Sequence, residues 1–158
     1  MGRAVSKALF ETSNKSDPAI IFTHMNYSLA PHEEATVNAF IVKERRERFL
    51  ELLANPKHRH KITESLAHPN PAWFDARCVK AIPSAQRGAA SIAKLLRSKG
   101  AGTMCWVVSE DHRFDAHEVE LDSVLTALVG HGMGAIVSCV AGKLAFVESE
   151  TSRFILEK

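Results

Sequence analysis

The chain of 158 residues lacks the features that identify several common protein classes. It has only three cysteines, Cys78, Cys105 and Cys139, which lie far apart in apolar stretches and form neither a CxxC pair nor a zinc-binding spacing. No apolar run approaches the roughly 18 residues that a membrane helix requires, and residues 1–10 contain no continuous apolar stretch like that of a signal peptide. We therefore expect a cytoplasmic protein with buried, reduced thiols, without a metal, a cofactor or a membrane partner.

Motifs of well-known enzyme classes are absent as well. The chain contains neither the GxSxG turn that presents a hydrolase nucleophile nor the HExxH pair of a zinc protease. Two histidines, His112 and His117, flank Asp115 in a polar stretch, which leaves a nucleophilic triad open as an alternative. With eight histidines in the chain, such a pairing also arises by chance, and we expect a domain without catalytic residues.

The glycine-rich stretch Gly130–Gly134, GHGMG, is the most motif-like part of the chain. Glycine loops that bind phosphate follow a strand and open a helix, so that the N–H groups of the helix point at the anion. Here the order is reversed, because an apolar helical pattern precedes Gly130 and an apolar strand pattern follows Gly134. We interpret the stretch as a joint in which Gly130 ends the helix in the left-handed conformation.

The charges divide unevenly along the sequence. Residues 1–108 contain 16 Lys and Arg against 9 Asp and Glu, a net charge of +7, whereas residues 109–158 contain 4 against 9, a net charge of −5. A basic front and an acidic back predict either the binding of polyanions at one end or front-to-back pairing in a homo-oligomer.

Periodicity and helix breakers predict a single α+β domain at residues 36–158, preceded by an irregular N-terminal arm at 1–35. Residues 36–68 are predicted as a basic helical hairpin, whose two helices are separated by Asn55 and Pro56. Residues 76–158 are predicted as βαβαβββ, with strands at 76–82, 103–109, 134–140, 143–149 and 153–158 and helices at 84–100 and 122–130. The polar residues 110–121 are expected to form a long loop with a short extended piece. Because strand–helix–strand units place their strands in parallel, we expect a mixed sheet with helices packed on it and residues 153–158 at its edge.

Polar residues follow or end several of these strands. Ligands tend to bind beyond the carboxyl ends of parallel strands, so these residues would approach one rim of the sheet. Glu110 and Asp111 would there form an acid–base pair or hold a hard cation, and Ser84 would lie at a helix N-terminus. The alternative is that they are ordinary loop and cap residues. The ligand rim predicted in this way comprises Ser84, Ser109, Glu110, Asp111 and Ser138.

The basic helices give the clearer functional hypothesis. Residues 43–61 carry a net charge of +4, and such a surface can contact phosphates without reading sequence. The alternative is a solvated face on which Glu44 pairs with Arg48 and Lys43 with Glu47, each four residues apart. Few aromatics lie nearby, which argues against a single-strand binder. The predicted partner-binding residues are Lys43, Arg45, Arg46, Arg48, Lys57, Arg59 and Lys61.

We therefore predict a small non-catalytic cytoplasmic binding or regulatory domain that contacts nucleic acid or an acidic protein through its basic helices. Two alternatives remain open at this point. One is a self-associating adaptor, based on the uneven charge and the edge strand at 153–158. The other is a small enzyme with its site at the carboxyl ends of the strands.

Overall fold

The computed structural model describes residues 29–158, so most of the predicted N-terminal arm lies outside the described residues. The α-helices are α1 Pro31–Phe40, α2 Lys43–Ala54, α3 His60–Thr63, α4 Ala89–Ser98 and α5 Leu121–Leu128. The strands are β1 Val79–Ala81, β2 Met104–Ser109, β3 His117–Glu120, β4 Ala135–Val140, β5 Leu144–Glu148 and β6 Arg153–Glu157. Short 3-10 helices lie at Glu64–Ala67, Pro71–Trp73 and Ser84–Gln86. None of the helices among residues 29–158 combines the length and the apolar character that a membrane-spanning segment requires.

The six strands form one sheet in the order β1-β6-β5-β4-β2-β3. Apolar side chains cover both of its faces, in alternation along each strand. On one face Val108, Ile136 and Val147 pack against α1, α2 and α3. On the other face their neighbours Val107 and Val137 pack against α4 and α5. The predicted α+β fold with helices packed on a sheet is therefore confirmed, and it has three layers.

The pairing within the sheet differs from our expectation of parallel neighbours, because all five neighbouring pairs are antiparallel. The reason is β3, a short polar strand that we expected to be mostly loop. It pairs with β2 and reverses the chain before α5 begins. Each helical crossover consequently joins strands that run the same way but have other strands between them, β1 with β2 and β3 with β4.

Two further expectations about the elements are corrected. The first helix of the hairpin does not run unbroken to Asn55, because Ile41 leaves the helix and makes a β-bridge with Phe74. The strand β6 does not lie at the edge of the sheet, because β1 pairs with it from Val79 opposite Leu156 onward. That pairing removes the unpaired edge on which the self-association alternative was based.

The interpretation of the glycine stretch as a joint is confirmed. α5 ends at Leu128, Gly130 has a φ of 83°, and β4 begins at Ala135. Two N–H groups of the stretch already bind carboxylates of the protein itself. Gly130 N donates to Glu148 Oε2 at 2.8 Å, and Gly134 N donates to Glu110 Oε2 at 2.7 Å.

The three cysteines are buried, as the sequence predicts. Burial raises the pKa of the Cys105 and Cys139 thiols to about 12. Both thiols therefore stay protonated at neutral pH and are poor nucleophiles.

Gly134 is required where the joint passes under the 3-10 helix at Glu64–Ala67. A Cβ at this position would overlap the backbone of Leu66 and Ala67. We expect Gly134→Ala to lower the free energy of unfolding by about 3 kcal/mol, because packed backbone cannot move aside cheaply. Gly102→Ala is the matched control, since a Cβ there meets no atom within 4 Å. Urea unfolding of both variants tests this, and equal stability of the two would contradict the described packing.

Candidate functional site

The structure divides the seven predicted partner-binding residues into two groups. Five of the seven side chains are exposed. These are Lys43, Arg45, Arg48, Lys57 and Lys61. The other two, Arg46 and Arg59, are directed towards the protein itself. Arg46 Nε donates to the Ile41 carbonyl oxygen at 2.8 Å and so helps to close the break between α1 and α2.

Arg59 does not belong to the exposed basic face, which corrects the prediction for this residue. Its guanidinium contacts two carboxylates from distant parts of the chain. Nη2 lies 2.6 Å from Glu33 Oε2, and Nε lies 2.8 Å from Asp115 Oδ2. The exposed fractions of these side chains are 15% for Arg59, 2% for Glu33 and 16% for Asp115. The two partners lie 26 and 56 residues away from Arg59 in the sequence. These contacts could not be predicted, because in the sequence Arg59 resembles its basic neighbours.

Both carboxylates have further partners that fix them in place. Trp106 Nε1 donates to Glu33 Oε2 at 2.8 Å, and the Ser109 N–H donates to Asp115 Oδ1 at 2.9 Å. Burial opposes the charge on Arg59, but the hydrogen bonds to Glu33 and Asp115 outweigh it and raise the pKa of the guanidinium above its ordinary value. The group is a permanently charged structural link between α1, the residue before α3, and the loop after β2.

Removal of this link should lower stability because it leaves the buried carboxylate of Glu33 and the half-buried carboxylate of Asp115 without their counterion. We expect Arg59→Met to lower the free energy of unfolding by about 3–5 kcal/mol. Arg48→Met is the matched control, since the one ion pair of Arg48 within residues 29–158 is with Glu51, at 3.7 Å and with both side chains more than half exposed. An exposed pair of this kind contributes about 0–1 kcal/mol. Chemical denaturation measures both changes, and similar losses for the two variants would show that Arg59 is not the internal link described.

A groove of about 180 Å³ lies between α2, α3 and the 3-10 helix at Pro71–Trp73. We refer to it as the α2–α3 groove. Its apolar floor includes Phe49, Leu52 and Ile62, which are 5%, 8% and 5% exposed. Trp73 stands edge-on to Phe49, with ring centroids 5.5 Å apart. The lining residues are Arg45, Arg48, Phe49, Leu52, Lys61, Ile62, Ser65 and Trp73.

The rim of the α2–α3 groove is cationic. Arg45, Arg48 and Lys61 contribute three positive charges, and none of the lining residues in the described part of the chain carries a carboxylate. The pairs Glu44–Arg48 and Lys43–Glu47 that we considered as an alternative are not among the ion pairs of residues 29–158, where Arg48 contacts Glu51 instead. Three cations around an apolar floor can bind an anionic group and an apolar group side by side.

Sequence reasoning found the cations of this groove but missed its floor. A signal was present on α2, since Arg45, Arg48, Phe49 and Leu52 have the spacing of one helical face. Trp73 carried no such signal, because it reaches the groove from a short helix that is fixed by a contact distant in sequence. The Val42 N–H donates to the Trp73 carbonyl oxygen at 2.8 Å.

The predicted ligand rim is not one site. Ser109, Glu110 and Asp111 follow each other at the end of β2, but each is engaged within the protein. Ser109 Oγ donates to the Gly134 carbonyl oxygen at 2.8 Å, and Asp111 pairs with Arg113 at 2.7 Å. The hydrogen bond from Arg113 lowers the pKa of Asp111, which holds this carboxylate in its charged form.

The other two rim residues lie elsewhere in the fold. Ser138 is buried within β4 opposite Trp106, and Ser84 follows β1 at the far edge of the sheet. Because β2 and β4 are antiparallel, their carboxyl termini lie at opposite ends of the strand pair, and Ser109 is opposite Ala135 rather than Ser138.

The His, Asp and Ser side chains that resemble catalytic groups also have partners within the protein. Asp115 uses its carboxylate for Arg59, while His117 Nδ1 lies 2.6 Å from the backbone carbonyl oxygen of Asp115. His32 Nδ1 lies 2.8 Å from Ser138 Oγ, but this serine is buried and also accepts a hydrogen bond from Thr36. Among residues 29–158 there is no group of three or more His, Cys, Asp and Glu side chains that could hold a metal ion.

A larger concavity of about 520 Å³ lies beside β1, but its charges are engaged internally. Arg77 pairs with Asp75 at 2.7 Å, and Glu157 pairs with Lys99 at 2.9 Å. Lys80 Nζ donates to the Arg77 carbonyl oxygen at 3.3 Å. Opposite charges therefore alternate along this surface, and the α2–α3 groove has the more uniform charge.

Comparison with known proteins identified no relative, since no protein family, no curated protein and no solved structure matches the chain.

Proposed function

We propose that the protein is a non-catalytic binding domain that engages an acidic macromolecule through the α2–α3 groove. The observation that carries this proposal is the uniform charge of the groove, in which Arg45, Arg48 and Lys61 surround the apolar floor and no carboxylate of residues 29–158 lines it. Such a concentration of one charge attracts an oppositely charged partner and accelerates its association.

The organisation of the groove supports a binding role over a catalytic one. Arginine and lysine supply positive charge and hydrogen-bond donors to a partner. Histidine, cysteine and carboxylate side chains are the groups that most often act as acids, bases and nucleophiles. Among the described residues, none of these lines the groove.

We place this binding activity in the cytoplasm. Three unpaired cysteines, all buried, suit a reducing compartment, where thiols are kept free.

A charge-reversal comparison on a heparin column tests the proposal, with heparin as the acidic polymer. One variant combines Arg45→Glu with Lys61→Glu in the groove. The control combines Lys43→Glu with Lys57→Glu, which are exposed on the same helical layer but do not line the groove. Both variants change the net charge equally. We expect the groove variant to bind roughly tenfold more weakly and to elute at lower salt than the control, because its charges are concentrated at one site.

Two results would overturn the proposal. One is a wild-type protein that heparin does not retain at low salt. The other is identical elution of the two variants, which would show that net charge alone determines retention.

A further inference from the structure

From the α2–α3 groove we infer the chemistry of the partner, an inference that depends on the proposed function. We propose that the groove binds an acidic peptide segment of another protein, and that one large apolar or aromatic side chain of that segment enters the groove between Phe49, Leu52, Ile62 and Trp73. Carboxylates that flank this side chain in the peptide then pair with Arg45, Arg48 and Lys61.

The size of the groove fits one large side chain. Its volume of about 180 Å³ can be compared with an apolar cavity of about 150 Å³, which holds a benzene molecule. Phe49, Leu52 and Ile62 form a floor that is already almost fully buried, so an incoming side chain meets packed apolar atoms. A buried anchor in such a pocket is the usual centre of binding energy in a protein interface.

Within residues 29–158, no buried ion pair engages the three cations. Arg45 and Lys61 form no ion pair with any of residues 29–158. Arg48 contacts Glu51 at 3.7 Å, in a pair whose side chains are 65% and 61% exposed. Because an exposed pair contributes little free energy, a carboxylate of the partner can replace Glu51 at small cost.

The aromatic residues of the groove favour a peptide over nucleic acid. Proteins that bind single strands stack bases on open aromatic faces. Here Phe49 is 5% exposed and meets Trp73 at an interplanar angle of 77°, so the two rings form a pocket wall rather than a flat platform. A continuous row of cations along residues 43–61, which could follow a phosphate backbone, is also interrupted. Arg46 donates a hydrogen bond to the Ile41 carbonyl oxygen, and Arg59 forms an ion pair with Glu33.

Selection of peptides from a random library displayed on phage tests this inference across many candidate sequences at once. The bait is the full chain of 158 residues. We expect enrichment of sequences in which a Leu, Phe, Tyr or Trp is flanked by Asp or Glu. An enriched peptide is then synthesised with a fluorescent label, together with a version in which the apolar residue is replaced by Ala. We expect the Ala version to bind roughly 30-fold more weakly by fluorescence anisotropy, the loss typical of an interface anchor.

Variants of the protein locate the binding site. Ser65→Trp places a large side chain into the groove from a half-buried lining position and should abolish binding of the enriched peptide. Arg45→Glu with Lys61→Glu, whose residues are exposed, should weaken it at least tenfold and does not depend on tolerance of the tryptophan. Lys43→Glu with Lys57→Glu should bind within about twofold of the wild-type protein. Thermal unfolding of each variant verifies that it folds.

The outcomes separate this inference from the proposed function. If heparin binding depends on the groove but selection enriches no acidic sequences with an apolar residue, the inference fails and the proposed function stands. The inference also fails if labelled single-stranded DNA or double-stranded RNA binds more tightly than the peptide and Ser65→Trp abolishes that binding, because nucleic acid would then be the ligand of the groove. If reversal of the groove charges changes heparin retention no more than the control variant does, the proposed function itself fails.

Discussion

The ion pairs of half-buried Arg59 with buried Glu33 and half-buried Asp115 are the interaction on which the helical layer depends. They join α1, the residue before α3 and the loop after β2, three parts of the chain that no continuous element connects. Burying a charge is expensive, and the cost is offset only when every partner is present in good geometry. Glu33 meets this condition, since it accepts hydrogen bonds from Arg59 and from Trp106 of β2. The arrangement therefore fixes the position of α1 and α3 on the sheet as well as their contact with each other.

The α2–α3 groove is a consequence of this attachment. The basic helix α2 lies between two fixed points, the bridge of Ile41 to Phe74 and the turn at Asn55, whose carbonyl accepts the Arg59 N–H at 2.9 Å. With α3 held at its start by Arg59, the space between α2 and α3 keeps its width, and the half-buried Trp73 lines it. Arg59 therefore lies within the protein and positions α3, while three other cations form the rim of the groove. Because Arg46 and Arg59 contact the protein itself, a count of positive charges overestimates the number of cations on the binding face.

The sequence allowed much of the sheet to be predicted, because β2, β4 and β5 are apolar on both faces and are bounded by polar residues or glycine. Gly130 was predictable as well, since a left-handed residue after an apolar helix favours glycine. Strand β3 was predicted only as a short extended piece of a polar loop, because an edge strand with Glu118 and Glu120 carries no apolar alternation. Of the site, the cations were predicted and the floor was not. The role of Arg59 depends on partners 26 and 56 residues away, and composition does not distinguish such an arginine from one in solvent.

The central claim is that this ion-pair cluster attaches the layer of α1, α2 and α3 to a sheet that is stable by its own packing. Amide hydrogen exchange in a Glu33→Gln variant tests it most directly, because the substitution keeps the size of the side chain and removes one buried charge. The account predicts faster exchange in α1, α2 and α3, with β2, β4 and β5 as protected as in the wild-type protein. Unchanged exchange in the helices, or an equal increase in helices and strands, would contradict it.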